Sequence, residues 1–589
     1  MTPNILILPA SKKRDGFGHI KRCIDLAEDL GTGAYLALPE EMRDFAETLN
    51  FPGHRIISNA LTDRPWDFVI FDKRKTPAEE VREFLKRGIP VIAVDEGGPA
   101  RSECTFCIDI LPKPGNREFP NCGDISFLKL PETRSTGIRV VKNILVTFGG
   151  EDPADLTSSF CGSLEKWDLL SKYNVTAVIG PLFQGIDLPE QVNRLGNIKN
   201  LPGIFPQYDC VVTSFGLTGF EAAAFGLPVM HLNPGRYHRK LSRFAGFPEI
   251  GIRKPRKRTF LRFISDAETL RSQCLRIIPE KRERLSEKIH SLFLKRPPSC
   301  PVCGGFYVKS AARFPGKSYF SCSQCGALFC YPFTPPVVYN NEYFFSEYKA
   351  QYGKTYLEDF SHIKNLSEGR LKIIKACLSH NGDSEPSLLD AGCAFGPFLQ
   401  AAKEVGFSGF GIDVSVIAVE YVRKTLHIPA DCSDFAGFIP ENVFSRASFS
   451  VLTMWYVIEH FSSPGLILEK VNALLPPGGI FAFSTPNGRG ASWRKSHRKF
   501  LESSPNDHFT VWNPRWARKI LKKYGFTCRK IRSTGHHPER IWSAGLKKRK
   551  IILGLLMAVS RLLRLGDTFE VYAEKTGSPD PHWKRHSTS

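Results

Sequence analysis

Four cysteines stand as Cys300-Pro-Val-Cys303 and Cys322-Ser-Gln-Cys325, two CxxC pairs with 18 residues between them. Each pair can curl two thiolates onto one ion, and four thiolates close a tetrahedral Zn²⁺ site that has no open position. The chemistry expected there is structural. Gly304, Gly305 and Gly326 follow the pairs, where knuckle turns call for positive φ. Cys330 falls outside the spacing. A second constellation is SLLDAGCAFGPFLQAAKEVGFSGFGIDVS at 387–415. It predicts a strand ending at Asp390, a glycine turn, a helix and a second strand ending at Asp413. Gly392 and Gly396 would let a nucleoside approach the backbone, and Asp413 would take its ribose diol. The loop lacks the GxGxxG that cradles a pyrophosphate, which favours S-adenosylmethionine over NAD. Downstream, FSVLTMWYVIEHF predicts a strand carrying Glu459 and His460 at its end. His460 and His508 are candidate bases, needed only if the methyl acceptor is a hydroxyl or a carbon acid. A purely structural strand-end role is the alternative for His460.

Two further sites lie near the N-terminus. NILILPA runs into DGFGHIKRC, where Gly16 and Gly18 allow a tight turn and a helix is expected to begin near His19. A helix N-terminus suits a diphosphate, and a histidine there can act as a general base. The bland alternative is a glycine turn with a capping histidine. In VVTSFGLTGFEAAAFGLPVMHL, a loop with Ser214, Gly216, Thr218 and Gly219 precedes a helix whose first turn is expected to hold Glu221. A carboxylate there can hold a ribose diol. The alternative is an acid that merely favours the helix start.

These residues need elements to hold them. NILILPA, WDFVIFD, PVIAVDE, NILVTFGG, VTAVIG, CVVTSF and PVMHL are short apolar runs, the pattern of strands buried on both faces. Amphipathic segments such as IKRCIDLAEDL alternate with them. The fold class is therefore α/β, with two Rossmann-like lobes at 1–137 and 138–295, the second closed by a charged helix over about 263–295. A cysteine module at 296–336, an aromatic helical cap at 337–380, a third Rossmann-like domain at 381–578 and a flexible tail at 579–589 complete the order.

The pair Gly16, Gly18, His19, Arg22, Cys23 (GxGHxxRC) and Gly149, Gly150, Asp152, Pro153 (GGxDP) resembles the UDP-sugar hydrolase of pseudaminic acid synthesis. The block around Glu221 is similar to the GlcNAc transferase that makes lipid II. Both families are GT-B folds, so the resemblance implies a UDP-sugar between two lobes, with His19 activating water or an acceptor and Glu221 on the uridine ribose. Gly149, Gly150, Ser214, Gly216 and Thr218 would join that substrate site. The C-terminal stretch resembles class I methyltransferases, whose first motif DxGCGxG reads DAGCAFG here, with Ala394 in place of a glycine. That resemblance implies that Asp390, Gly392, Cys393 and Gly396 line the methionine side of S-adenosylmethionine. Asp413 would take the ribose, and Asp434 with Phe435 the adenine.

The 589 residues are 42% hydrophobic and 24% charged, which excludes extensive disorder and fibrous structure. The net charge is +21. Most of the excess lies between Arg489 and Arg564, where 20 Lys and Arg face three acids, a net charge of +17. RKSHRK at 494–499 and KKRK at 547–550 belong to it, the latter abutting IILGLLMAV. An interfacial helix on an anionic membrane surface is one reading, and a solvated face beside a buried helix is the other. The opening MTPNILILPASKK reads as a buried strand and not as a secretory signal. The 16 scattered cysteines read as reduced thiols, so a cytoplasmic location is expected, peripheral to the inner membrane face if the interfacial reading holds. The combined expectation is a methyltransferase acting on a sugar or nucleotide sugar in surface-glycan synthesis, fused to a nucleotide-sugar hydrolase or transferase. A zinc-ribbon RNA methyltransferase is the first competitor, disfavoured because the N-terminal lobes have no place in it. A non-catalytic sugar-nucleotide binding module at the N-terminus is the second.

Overall fold

The computed structural model describes the chain except for residues 1–2, 11–17, 49, 59–64, 74, 113–118, 133–136, 138–139, 151, 181–182, 184–186, 197, 199, 281–282, 292–297, 334–352, 379–384, 538–549 and 582–589. Gly16, most of the aromatic stretch at 339–353, and Lys547, Lys548 and Arg549 fall outside the described residues. The chain divides into two compact units, Met1–Pro297 and Pro298–Ser589.

Unit 1 holds two sheets. The first is all parallel, in the order Ile56–Ile57, Ala34–Ala37, Ile5–Pro9, Phe68–Asp72, Val91–Val94, Phe106–Ile108. The second runs Lys254–Pro255, Glu249–Ile252, Val229–Asn233, Cys210–Thr213, Asn143–Val146, Asn174–Val178, Asn193–Leu195, with only Lys254–Pro255 antiparallel. Strands such as Ile5–Pro9 and Phe68–Asp72 are buried at every residue. A parallel strand covered by helices on both faces has no solvent side, so it shows no alternation. The expected helix at 263–295 is instead Lys257–Ser265, Ala267–Leu275 and Leu285–Ser291. Asp266 ends the first of these and caps the second, accepting from the Thr269 N–H.

Unit 2 also holds two sheets. The larger runs Ala430–Cys432, Ser408–Asp413, Ser387–Ala391, Val451–Trp455, Ile480–Pro486, Thr568–Lys575, Phe526–Thr534. Thr568–Lys575 is antiparallel to both neighbours. Strand order reverses between Ser387–Ala391 and Val451–Trp455, the crevice where such sheets bind ligands. The smaller sheet is antiparallel, Val308–Phe314, Lys317–Cys322, Leu328–Pro332, Thr510–Val511. Its first three strands belong to the cysteine module, and its fourth lies in the chain between Ile480–Pro486 and Phe526–Thr534 of the larger sheet. One apolar core serves both sheets, joining Val302, Phe320 and Phe329 to Trp512, Trp516 and Tyr524. The cysteine module is thus part of unit 2. No described helix is long and apolar enough to cross a membrane.

Candidate functional site

In unit 1, Gly18 opens the helix Gly18–Leu30, which places His19 and Arg22 one turn apart against the first sheet. His19 Nδ1 lies 2.7 Å from Asp72 Oδ1. The Arg22 guanidinium donates to both Asp72 oxygens, at 2.7 and 2.5 Å, and to Asp95 Oδ2 at 2.7 Å. Burial alone would raise the Asp72 carboxyl, but Arg22 and His19 hold it well below the usual range. Asp72 ends the strand Phe68–Asp72 and Asp95 follows Val91–Val94, so both acids sit at carboxyl ends of parallel strands. Neither was expected from the motifs. The only sequence signal is an acid closing a buried run, as in VIFD and IAVD. A charged partner for His19 settles its orientation, the arrangement a general base needs.

The same helix contributes Lys21, Arg22 and Asp25 to a cavity of about 500 Å³ whose far wall carries Leu217 and Glu221. Glu221 occupies the second turn of the helix Leu217–Phe225, not the first as expected. Burial pushes its carboxyl up and nearby Lys21 draws it down. The structure therefore brings Glu221 to the helix of His19. Gly149, Gly150, Ser214, Gly216 and Thr218 do not line that cavity. Gly149 has φ +94°, and Gly150 packs so tightly on Gly180 that a Cβ on the latter would meet its carbonyl oxygen at 2.5 Å. Asp152 of the same motif caps the helix Leu156–Lys166, accepting from the Leu156 and Thr157 N–H groups at 2.9 and 2.8 Å.

In unit 2, the turn after Asp390 is fixed by its glycines. Gly392 has φ +76°, and a Cβ there would meet Val457 Cγ2 at 2.4 Å. Gly396 has φ +77° and caps the helix Pro397–Glu404. The constraint on these glycines is therefore internal packing and backbone sign as well as any ligand. Ala394 also sits in the left-handed region, at φ +47°. Its N–H donates to Asp413 Oδ2 at 2.8 Å, and Ser415 N–H donates to Asp413 Oδ1 at 2.9 Å. The acid that closes the second strand thus clamps the glycine loop. Asp390 is buried and accepts from Thr453 Oγ1 at 2.6 Å. Burial pushes its carboxyl up to about 7, against that hydrogen bond. Cys393 packs its side chain among Phe398 and Leu399. Asp434 is exposed while Phe435 is buried beside Phe461. The Ser433 N–H donates to Asp413 O at 3.0 Å, which ties that segment to the second strand's end.

The strand expected to run to His460 stops at Trp455, and Ile458–His460 is a separate 3₁₀ turn. Its Val457 neighbour touches the Gly392 loop, so this turn stands beside the Gly392–Gly396 loop. His460 Nδ1 lies 3.0 Å from Asp507 Oδ2, and its ring meets His508 edge-on at 4.6 Å. Burial lowers the His460 imidazole, but Asp507 and Glu459 outweigh it and hold it above its ordinary value. Burial and His460 push His508 down to about 3, so it stays neutral. Asp507 was not singled out in the sequence. Glu459 is buried and its Oε2 has no hydrogen-bond partner. Glu459, His460 and His508 place one ligand atom each within 4.8 Å of one another.

The four cysteines converge likewise. Cys300 and Cys325 Sγ are 3.4 Å apart, Cys303 and Cys322 Sγ 3.7 Å. A tetrahedral ion with bonds of about 2.3 Å has sulfur–sulfur edges near 3.8 Å, so the cluster has the size of such a site. Gly304 and Gly326 take positive φ as expected, whereas Gly305 does not; a Cβ there would strike Gln324 Oε1 at 2.5 Å. The module reaches the histidines through two short bridges. Cys330 N–H donates to Phe509 O, and Phe509 N–H to Glu459 O, both at 2.8 Å.

Residues 364–531 match the methyltransferase domain family. The chain is 30% identical over 141 residues to a ubiquinone biosynthesis O-methyltransferase of Histophilus somni, a match covering 23% of this chain and 58% of the relative. It is 37% identical over 112 residues to an uncharacterized protein of Methanocaldococcus jannaschii, covering 17% of this chain and 22% of that one. A solved structure of a SAM-dependent methyltransferase from Archaeoglobus fulgidus aligns with TM-score 0.28 and 16% identity over 39% of this chain and 98% of that one. Residues 364–531, within unit 2, thus match a methyltransferase domain, and the chain spans just over half the length of the O-methyltransferase it resembles.

Proposed function

We propose that the protein transfers a methyl group from S-adenosylmethionine to a hydroxyl of a sugar or nucleotide sugar. The observation that carries this reading is the His460–Asp507 pair beside the Gly392–Gly396 loop. Asp413, Gly392 and Gly396 would hold the cofactor, with Asp413 on the ribose, and Asp434 near the adenine. Bound there, S-adenosylmethionine supplies an electrophilic methyl carbon. His460 takes the proton of the attacking hydroxyl, and Asp507 fixes its tautomer and stabilises the imidazolium. An oxygen acceptor is supported by the relatives named O-methyltransferases. A glycan acceptor is supported by unit 1, whose cavity joins basic Lys21 and Arg22 to Glu221. We assign unit 1 as a GT-B-like pair of lobes that binds a nucleotide sugar, with His19 as its base. Four thiolates of the cysteine module would hold Zn²⁺ as a structural ion.

Labelled S-adenosylmethionine incubated with a panel of nucleotide sugars tests the reading, with the product identified by mass. His460→Ala is expected to lower turnover about 10²–10⁴-fold while cofactor affinity measured by calorimetry is kept. Methyl incorporation into RNA in preference to every sugar would instead support the zinc-ribbon RNA methyltransferase. Unchanged nucleotide-sugar turnover in His19→Ala would leave unit 1 a binding module. Cys322→Ser is expected to release zinc, followed by metal analysis, and to abolish the unfolding transition of unit 2, since structural zinc contributes about 10 kcal/mol or more to small domains.

A further inference from the structure

The +17 span at 489–564 is not the only strongly basic stretch of the sequence. From Arg236 to Arg262 the chain has ten Lys and Arg against one acid, Glu249, a net charge of +9. Nine of the ten cations are exposed. Glu249 does little to offset them, because Arg239 and Arg243 already hold it at 2.9 and 2.7 Å. This charge lies at one edge of the second sheet of unit 1. There the helix Arg236–Ala245, the strand Glu249–Ile252, the edge strand Lys254–Pro255 and the start of the helix Lys257–Ser265 follow one another.

The helix Arg236–Ala245 has two unlike faces. Leu241 and Ser242 are buried against the sheet, and Ser242 is bonded to His231 and Asn233. The outer face carries Tyr237 and Phe244, exposed by 64% and 60%. Seven residues apart, the two rings stand on the same side of the helix, about 10 Å from each other. Lys240 lies between them, one turn from each, and Arg236 and Arg243 flank the pair. Large rings standing in water among an excess of positive charge are costly for a free surface and useful at one that meets a partner.

We propose that this face docks on an anionic lipid surface, with Tyr237 and Phe244 entering the headgroup boundary and the surrounding cations meeting lipid phosphates. A short helix lying flat, rings on one face and Lys and Arg around them, is the arrangement of an interfacial helix. Single-stranded nucleic acid instead stacks successive bases on rings set along a basic groove. The two rings here stand on the outer face of a helix, which favours the lipid.

The test is sedimentation of the full chain with vesicles of phosphatidylcholine alone, or with about one-third phosphatidylglycerol, at low and high salt. Binding is expected only with the anionic lipid and is expected to weaken with salt. Tyr237→Ser with Phe244→Ser is expected to reduce partition about tenfold or more. Tyr237→Phe with Phe244→Tyr is expected to retain it, which separates lost ring insertion from lost folding. Lys240→Glu with Lys254→Glu is expected to reduce it as well. No wild-type binding to anionic vesicles, or binding by the serine and glutamate variants as tight as that of the wild type, would overturn the proposal. Tight binding to a single-stranded RNA oligomer with none to vesicles would overturn it in favour of a nucleic-acid surface.

Discussion

Both units bury carboxylates at the carboxyl ends of parallel strands, and they compensate them in opposite ways. In unit 1, Asp72 and Asp95 meet the Arg22 guanidinium, and Asp72 also meets His19. Burial would push the Asp72 carboxyl up, but the cations dominate and hold it well below the usual range. In unit 2, Asp390 is held by a hydroxyl and Asp413 by two backbone N–H groups. There burial dominates and both carboxyls are raised. The first arrangement is electrically closed and orients a histidine. In the second, Arg370 draws the Asp390 carboxyl down without outweighing burial, the setting in which a sulfonium ligand with a ribose diol gains most. Buried acids of the same position in the strand thus serve two purposes, decided by what the next element supplies.

Among changes to these buried acids, breaking the cationic closure should have the largest effect. Asp72→Asn leaves Arg22 buried with Asp95 as its remaining carboxylate, and it is expected to destabilise unit 1 by about 3–5 kcal/mol, as loss of one partner of a buried pair does. The unit 1 transition in denaturant unfolding of the full chain measures it, with the unit 2 transition unmoved. An unmoved unit 1 transition would show that the network is not what holds that edge of the sheet together.

The pH response sharpens the contrast. Asp390 is raised from 3.8 to about 7. A raised acid stabilises the fold fully below its unfolded pKa and loses that contribution as pH rises through the folded value. Unit 2 without ligand is therefore expected to lose on the order of 3 kcal/mol between pH 4 and pH 8. Asp390→Asn, which keeps an acceptor for Thr453, should reduce that dependence and leave the part carried by Asp413 and Glu459, whose carboxyls burial also raises. A melting series across this range checks both, and a pH-independent parent would remove Asp390 from the account. In unit 1, Asp72 is depressed, so its contribution has the opposite sign: it is present above the unfolded value and lost only in strong acid.

The smallest change concerns the loop itself. Ala394 holds a left-handed conformation that costs an L-residue roughly 1 kcal/mol. Ala394→Gly should relieve that and raise unit 2 stability by a few tenths to about 1 kcal/mol, because the added freedom of the unfolded glycine offsets part of the gain. Calorimetry resolves the shift, and a destabilised variant would show that the alanine methyl packs usefully.

Much of the fold was legible because its strands are buried on both faces. NILILPA and WDFVIFD are continuous apolar runs, and no other element of five residues needs that pattern. The CxxC pairs and the glycine turn were legible because their chemistry is local: both thiols of a pair, or both glycines of a loop, lie within a few residues. The misplacements were local as well. The strand expected through Glu459 is too long because Val457, Ile458 and Phe461 prolong the apolar pattern after the sheet has ended at Trp455, where Tyr456 turns to φ +59° and a 3₁₀ turn follows. Glu221 was placed a turn early because helix starts are poorly marked by a loop of small residues.

The partners of the key side chains were not legible. Arg22 meets Asp72 across 50 residues and Asp95 across 73, and His460 meets Asp507 across 47. Sequence order alone fixed that the chain has glycine turns after buried strands, four thiols at metal spacing, and histidines near strand ends. Which acid faces which base depends on strand order and register, and those are settled when several hundred residues pack at once. The same holds for the cysteine module: its spacing announces an ion, but only the pairing of Leu328 and Phe329 with Val511 and Thr510 carries its sheet to the segment bearing Asp507 and His508.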